Sequence, residues 1–176
     1  MRNFMIAAVA ILAFAGFVAS AEARSKTEAM NTAAHFAQEL KSSGQFEIES
    51  SQLALKISSN DDIKKFAQKM IDDHTAADKK LVQTLKQANL PEPKYGMDEE
   101  TRGLVSQLAA LTGTTFDRDY VRDQIQGHEK AVALLEAYSK GGDNDALKQL
   151  ASTLLPTINE HLQMAKALRS SVTARR

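Results

Sequence analysis

The sequence predicts an all-α fold: a four-helix bundle with one additional short connecting helix. Three observations predict it. Apolar residues recur at i, i+3, i+4 and i+7 over long stretches, and no stretch alternates apolar with polar as a strand does. The strong helix formers Ala, Leu, Lys, Gln and Glu are abundant, while Pro occurs only 3 times in 176 residues. The helical stretches are separated by clusters of Ser, Asn, Asp, Gly and Pro, which cap or stop helices.

The N-terminal stretch stands apart from the fold. In "MRNFMIAAVAILAFAGFVASAEARSK", Arg2 supplies a positive start, Phe4 to Val18 is an unbroken apolar run, and small residues follow. Ala19-Ser20-Ala21 and Ala21-Glu22-Ala23 both satisfy the small-x-small cleavage pattern of an export signal. The run is shorter than the roughly 20 residues of a spanning helix. The expected organisation is therefore a signal peptide over 1–23 and one helical domain over 24–176, with export to a bacterial periplasm. No cysteine follows the apolar run, so a lipid anchor is not expected.

The domain's elements follow in order. A first long helix is expected from Lys26 to Ser58, with Met30, Ala33, Ala37, Leu40, Ala54 and Ile57 at helical spacing. Gly44 marks a place where it can bend or break. "SSNDD" caps a second helix from Asp62 to Ala88, which "NLPEPKYG" ends because Pro91 and Pro93 cannot continue it. A short helix from Asp98 to Leu111 carries Leu104, Leu108 and Leu111 on one face. A third long helix starts at a Thr114 or Thr115 cap and runs to Lys140, where Gly141-Gly142 closes it. The fourth, capped by Asp143 or Asn144, carries Leu147, Leu150, Leu154, Ile158, Ala165 and Leu168, and Pro156 is expected to kink it near Ser152. The segment from Leu90 to Thr114 is long enough to cross the bundle and bring the third long helix parallel to the second. That is a ferritin-like route; the alternative is a plain up-down-up-down bundle.

Composition excludes several functions. With 22 basic and 22 acidic residues interspersed, there is no basic footprint for nucleic acid. Zero cysteines rule out disulfides, thiolate metal sites and cysteine nucleophiles. A chain of this length buries a core without such staples. No phosphate loop, no His-Glu-x-x-His and no nucleophile elbow is present. Once the signal is removed, no stable membrane insertion is expected. Partners within reach of these observations are a second copy of the chain or another periplasmic protein.

The informative residues are polar ones inside the apolar stripes. His35 sits beside its stripe and is expected at the surface. His74 falls between Met70 and Ala77, His128 between Val121 or Gln124 and Ala131, and His161 between Ile158 and Ala165. Each takes a position where the helical beat expects a core residue. At about 1.5 Å of rise per residue, His74 and His128 lie near the middles of their helices, and His161 about 6 Å from the middle of its own. Glu47 lies on the inward stripe of the first helix near the same level. One carboxylate and three imidazoles are thus expected to converge.

Two readings of that convergence stand side by side. Neutral imidazoles with a carboxylate bind a transition-metal ion such as zinc, copper or iron. Met70 and Met164, one turn from His74 and His161, would tilt the choice to copper if they were ligands, but they also suit a packed core. Alternatively, the same groups form a buried hydrogen-bond network with Tyr120, Gln124 or Thr157 as partners. A di-iron carboxylate centre is not expected. Such centres repeat Glu-x-x-His, and here Ile71, Ile125 and Ile158 stand three before the histidines. Asp73, Glu129 and Glu160 adjoin the histidines in sequence and point about 100° away.

"FAQKMIDDHTAADKKL", "FDRDYVRDQIQGHEKAVALLE" and "LLPTINEHLQMAKAL", with "GQFEIESSQLALKISSNDDIKKFA" before them, resemble the ordered blocks of a bacterial ferritin-like family catalogued as domain of unknown function 4142. The likeness runs from Ala33 to Leu168. It implies an exported protein with a ferritin-like helical bundle, and places Glu47, Asp73, His74, Phe116, Asp117, Tyr120, His128, Pro156 and His161 at motif positions. It implies no established activity. Members are often labelled outer-membrane or periplasmic; the first label finds no support in barrel strands or a lipobox here. The expected function is a non-catalytic, metal-binding or stress-related periplasmic bundle. An interaction module with structural histidines is the second expectation, and a metal-dependent oxidoreductase the third.

Overall fold

The computed structural model describes residues 32–94 and 96–174; the expected export signal lies outside these residues. Among the described residues there are five helices and no strand: α1 Ala33–Ile57, α2 Asp61–Gln87, α3 Glu99–Ala109, α4 Gly113–Gly141 and α5 Asp145–Ala174.

Most helix starts carry the capping chemistry read from the sequence. Asn60 Oδ1 accepts from the Asp62 backbone N–H at 3.0 Å, Asp98 Oδ1 from Thr101 N–H at 2.7 Å, and Asn144 Oδ1 from Leu147 N–H at 3.1 Å. The first and third long helices differ from expectation. α1 begins at Ala33 rather than Lys26, with the Thr32 hydroxyl accepting from His35 N–H at 3.3 Å. It also runs unbroken through Gly44, because burial of its inner face outweighs the cost of about 1 kcal/mol for one glycine. α4 starts at Gly113 rather than at a Thr114 or Thr115 cap; Gly113 has φ +56°, which glycine adopts without strain.

The helix directions follow from residue pairs. Lys41 meets Asp78 at 2.6 Å, so α1 and α2 form an antiparallel hairpin. Ser51 pairs with Tyr120 at 2.9 Å and Ser50 with Gln124 at 3.1 Å, while Glu47 faces His128, so α1 and α4 are also antiparallel. α4 therefore runs parallel to α2. The connection between them travels the bundle's length, and Gly96 O accepts from Gln38 Nε2 at 3.2 Å on the way. In cross-section α1 touches α2 and α4, and α5 touches α2 and α4. α3 lies against α1 and α4.

The core is two apolar clusters rather than one. The first gathers Phe46, Ala54, Phe66, Met70, Phe116, Tyr120, Ile125 and Leu162. The second gathers Phe36, Leu81, Leu85, Leu135, Tyr138, Leu147, Leu154 and Ile158. Along α2 the change of cluster falls between Met70 and Leu81, along α4 between Ile125 and Ala131, and along α5 between Ile158 and Leu162. The histidines occupy those three gaps. A polar layer divides the bundle at mid-height.

Candidate metal centre

His74 comes from α2, His128 from α4 and His161 from α5, and all three are buried. Ring centroids are 5.7 Å apart for His74 and His128, and 5.5 Å for each of the other two pairs. One ligand atom from each ring lies within 4.8 Å of those of the other two. Tetrahedral bonds of about 2.0–2.1 Å to an ion place ligand atoms about 3.4 Å apart, so modest ring rotations close the set.

Hydrogen bonding divides two of the rings into an occupied and a vacant edge. His161 Nε2–H donates to Asp73 Oδ2 at 2.8 Å. His128 Nδ1–H donates to the backbone carbonyl of Gln124 at 2.8 Å. The opposite nitrogens, His161 Nδ1 and His128 Nε2, are buried with no partner, and so is His74 Nε2. Fixing one nitrogen as donor leaves the other as a lone pair, the arrangement found behind metal-ligating histidines.

Electrostatics keeps the rings neutral. Burial, with His128 and His161 adding to it, pushes the His74 pKa down to about 3. Burial pushes His128 to about 4 against the opposing Gln124 carbonyl. Burial also lowers His161, with Asp73 opposing. Burial alone would raise Asp73, but hydrogen bonds from Lys69 and His161 and the Lys69 charge outweigh it, so Asp73 is held low and ionised. Neutral imidazoles are the form that binds a metal.

Glu47 sits elsewhere around this centre. Its Oε1 is 3.6 Å from His128 Nδ1, the occupied edge, and its Oε2 has no partner. Burial, with Asp123 adding and Gln124 opposing, raises its pKa to about 8, so it keeps its proton at pH 7. The Glu47–His128 contact is therefore between two neutral groups. Gly127 makes room for it: a Cβ there would lie 3.0 Å from Glu47 Oε1.

The structure brings the three histidines together and sets Glu47 behind one of them. Asp73, which its place beside His74 in the sequence turns to a solvated face or a helix–helix border, stands at the α2–α5 border, shared between His161 and Lys69 Nζ at 3.0 Å. Its adjacency to His74 was the available signal, but which neighbouring helix it faces is not written in α2. Glu129 and Glu160 do pair at the surface, with Lys166 and Lys69 respectively. Of the expected network partners, Gln124 meets His128 through its backbone carbonyl, and two side chains bond to α1. Tyr120 pairs with Ser51, and the Gln124 amide with Ser50. Met70 packs in the first apolar cluster, and Met164 against it. His35 is half-buried in the first turn of α1.

A family model described as "Domain of unknown function (DUF4142)" matches residues 18–168. The chain belongs to this family. No curated protein matches the DUF4142 chain in sequence. Solved structures share its fold. CopM in its copper(II)-bound form is 19% identical, with a TM-score of 0.66 over 80% of this chain and 97% of that one. The copper(I)-bound form of CopM gives 20% identity and a TM-score of 0.65, over 80% and 96%. A DUF305 fragment from Deinococcus radiodurans gives 15% and 0.69, over 78% and 95%. A DUF305 protein from Streptomyces coelicolor, described as secreted, gives 14% and 0.66, over 78% and 90%. At these identities the likeness to the DUF4142 chain is one of fold.

Proposed function

We propose that this chain is an exported, periplasmic, non-catalytic protein that holds one copper ion between His74, His128 and His161. The observation that carries the reading is the set of three buried ring nitrogens without partners, one on each histidine. A buried polar atom left unbonded costs about 1–3 kcal/mol. A closed hydrogen-bond network would pair those nitrogens with protein groups, and a single cation answers all three at once.

Asp73 and the Gln124 carbonyl orient the rings, and Glu47 stands behind His128 rather than on the ion. Imidazole sets suit copper and zinc, and affinity for divalent ions peaks at copper. The copper-bound forms of CopM, on a shared fold, favour the same ion. The apolar N-terminal run and the secreted DUF305 neighbour support export. The crossover between α2 and α4 supports a ferritin-like description of the bundle.

Metal analysis tests the reading. The mature chain is loaded separately with copper, zinc and iron, then desalted. One copper per chain is expected, with His74→Ala and His161→Ala each losing it. A chain that retains no metal overturns the proposal.

A further inference from the structure

Three histidines leave a copper(II) ion at least one coordination position to fill, and the bundle is not equally closed around them. On the α1 side, buried Glu47 stands 3.6 Å from His128 Nδ1, and buried Phe46 packs beside it against Gly127. On the other side, a cavity of about 100 Å³ lies between α2 and α5, lined by Asp73, His74, Ala77, Lys80, Thr157 and His161 among others. Two of the three histidines stand on its wall. Lys80 on its wall is exposed, so the cavity leads from solvent towards His74 and His161, whose unpartnered nitrogens are buried just behind the wall.

The wall is mixed: Ala77, Leu154 and Ile158 are apolar, while Asp73, Lys80 and Thr157 stand beside the two histidines. A water takes up about 30 Å³, so the space holds about three water-sized groups. Asp73 brings a negative charge to the wall, but its Oδ2 is already engaged by His161 Nε2 at 2.8 Å and Lys69 Nζ at 3.0 Å. Lys69 also meets Glu160 at 3.7 Å. Lys80 adds a positive charge. With one charge of each sign on its wall, the cleft has room for a water-sized donor, and a bound cation would itself draw an anion to that position.

We infer that the metal centre is open to the α2–α5 cleft and takes its remaining donor from solution, as an exchangeable water or small anion. This rests on the copper reading above. The step is a ligand exchange: an anion's lone pair replaces that of a bound water, which leaves through the cleft. The copper keeps its oxidation state.

Azide is the probe. The copper(II)-loaded mature chain is titrated with sodium azide and followed by electron paramagnetic resonance and by absorption. A saturable spectral change with an azide-to-copper charge-transfer band is expected, with copper still bound after desalting. Ala77→Phe places a ring in the cleft. It is expected to keep one copper per chain and weaken azide at least tenfold. Thr157→Leu, a milder filling that α5 accommodates more easily, shifts azide affinity in the same direction. A loaded wild-type chain whose spectra ignore azide overturns the open site. Equal azide affinity in wild type and both variants overturns the cleft as the route. A chain that takes up no copper fails at loading, which overturns the copper reading itself and this inference with it.

Discussion

His74 occupies a core position, yet its Nε2 bonds to nothing. Leucine there would remove an unpaired polar atom and bury apolar surface instead. In the metal-free protein, His74→Leu is expected to raise stability by about 1–2 kcal/mol in urea titrations at pH 7. The same variant is expected to take up no copper. A destabilising His74→Leu would show that the ring bears structural load. Asp73 makes a different prediction, since it touches the centre only through the His161 Nε2–H. Asp73→Ala frees that ring to turn and to change tautomer. Copper affinity, measured by competition with a chelator, should fall about 10–100-fold while one ion per chain still binds at saturation.

At the scale of the element, each helix carries local signals, and the site adds demands of its own. α2 ends where Asn89 adopts φ +54° and Leu90 N–H donates to Leu85 O at 2.9 Å, a six-to-one closure. Pro91 and Pro93 follow that closure and only prevent resumption. Asn89→Ala should cost about 1 kcal/mol in thermal or urea unfolding, because a Cβ opposes the left-handed conformation and alanine lacks asparagine's local hydrogen bonding. α4 shows the opposite tension. Alanine at Gly127 would favour the helix by about 1 kcal/mol, yet its Cβ would press on Glu47 Oε1 at 3.0 Å. Gly127→Ala is expected to destabilise in the wild-type background and to stabilise in Glu47→Ala. A double-mutant cycle should give a coupling of about 1 kcal/mol or more.

For the whole molecule, the polar layer links stability to pH. The three imidazoles titrate below their ordinary value of 6.5 when folded, His74 at about 3 and His128 at about 4. As pH falls below 6.5 the unfolded chain binds more protons than the folded one, so stability is lost progressively from there towards pH 3. Glu47 acts in reverse. Folded, it keeps its proton up to about pH 8, whereas the unfolded carboxyl releases it near 4.5. Its cost therefore grows as pH rises from 4.5 to 8 and is complete above that. Below 6.5 three imidazoles outnumber one carboxyl, so the metal-free protein should be most stable near pH 6–7. Urea midpoints across pH 4–9 check this, and Glu47→Gln should flatten the alkaline limb. Copper at a hundred times its Kd should add about 2.7 kcal/mol. Among the described residues, no helix is long and apolar enough to cross a membrane.

By itself the sequence determined the helices, most of their caps, the all-α class and the inward positions of His74, His128 and His161. Each depends on periodicity along one chain segment, which the order of residues records directly. It also dismissed the di-iron pattern, since Ile125 and Ile158 are buried where bridging carboxylates would stand. Only the tertiary structure decided that Asp73 meets His161, that Glu47 stands behind His128, and that a cleft opens between α2 and α5. Those relations depend on the rotation of each helix about its own axis and on ring rotamers. Packing across helices sets both, and no single helix encodes either.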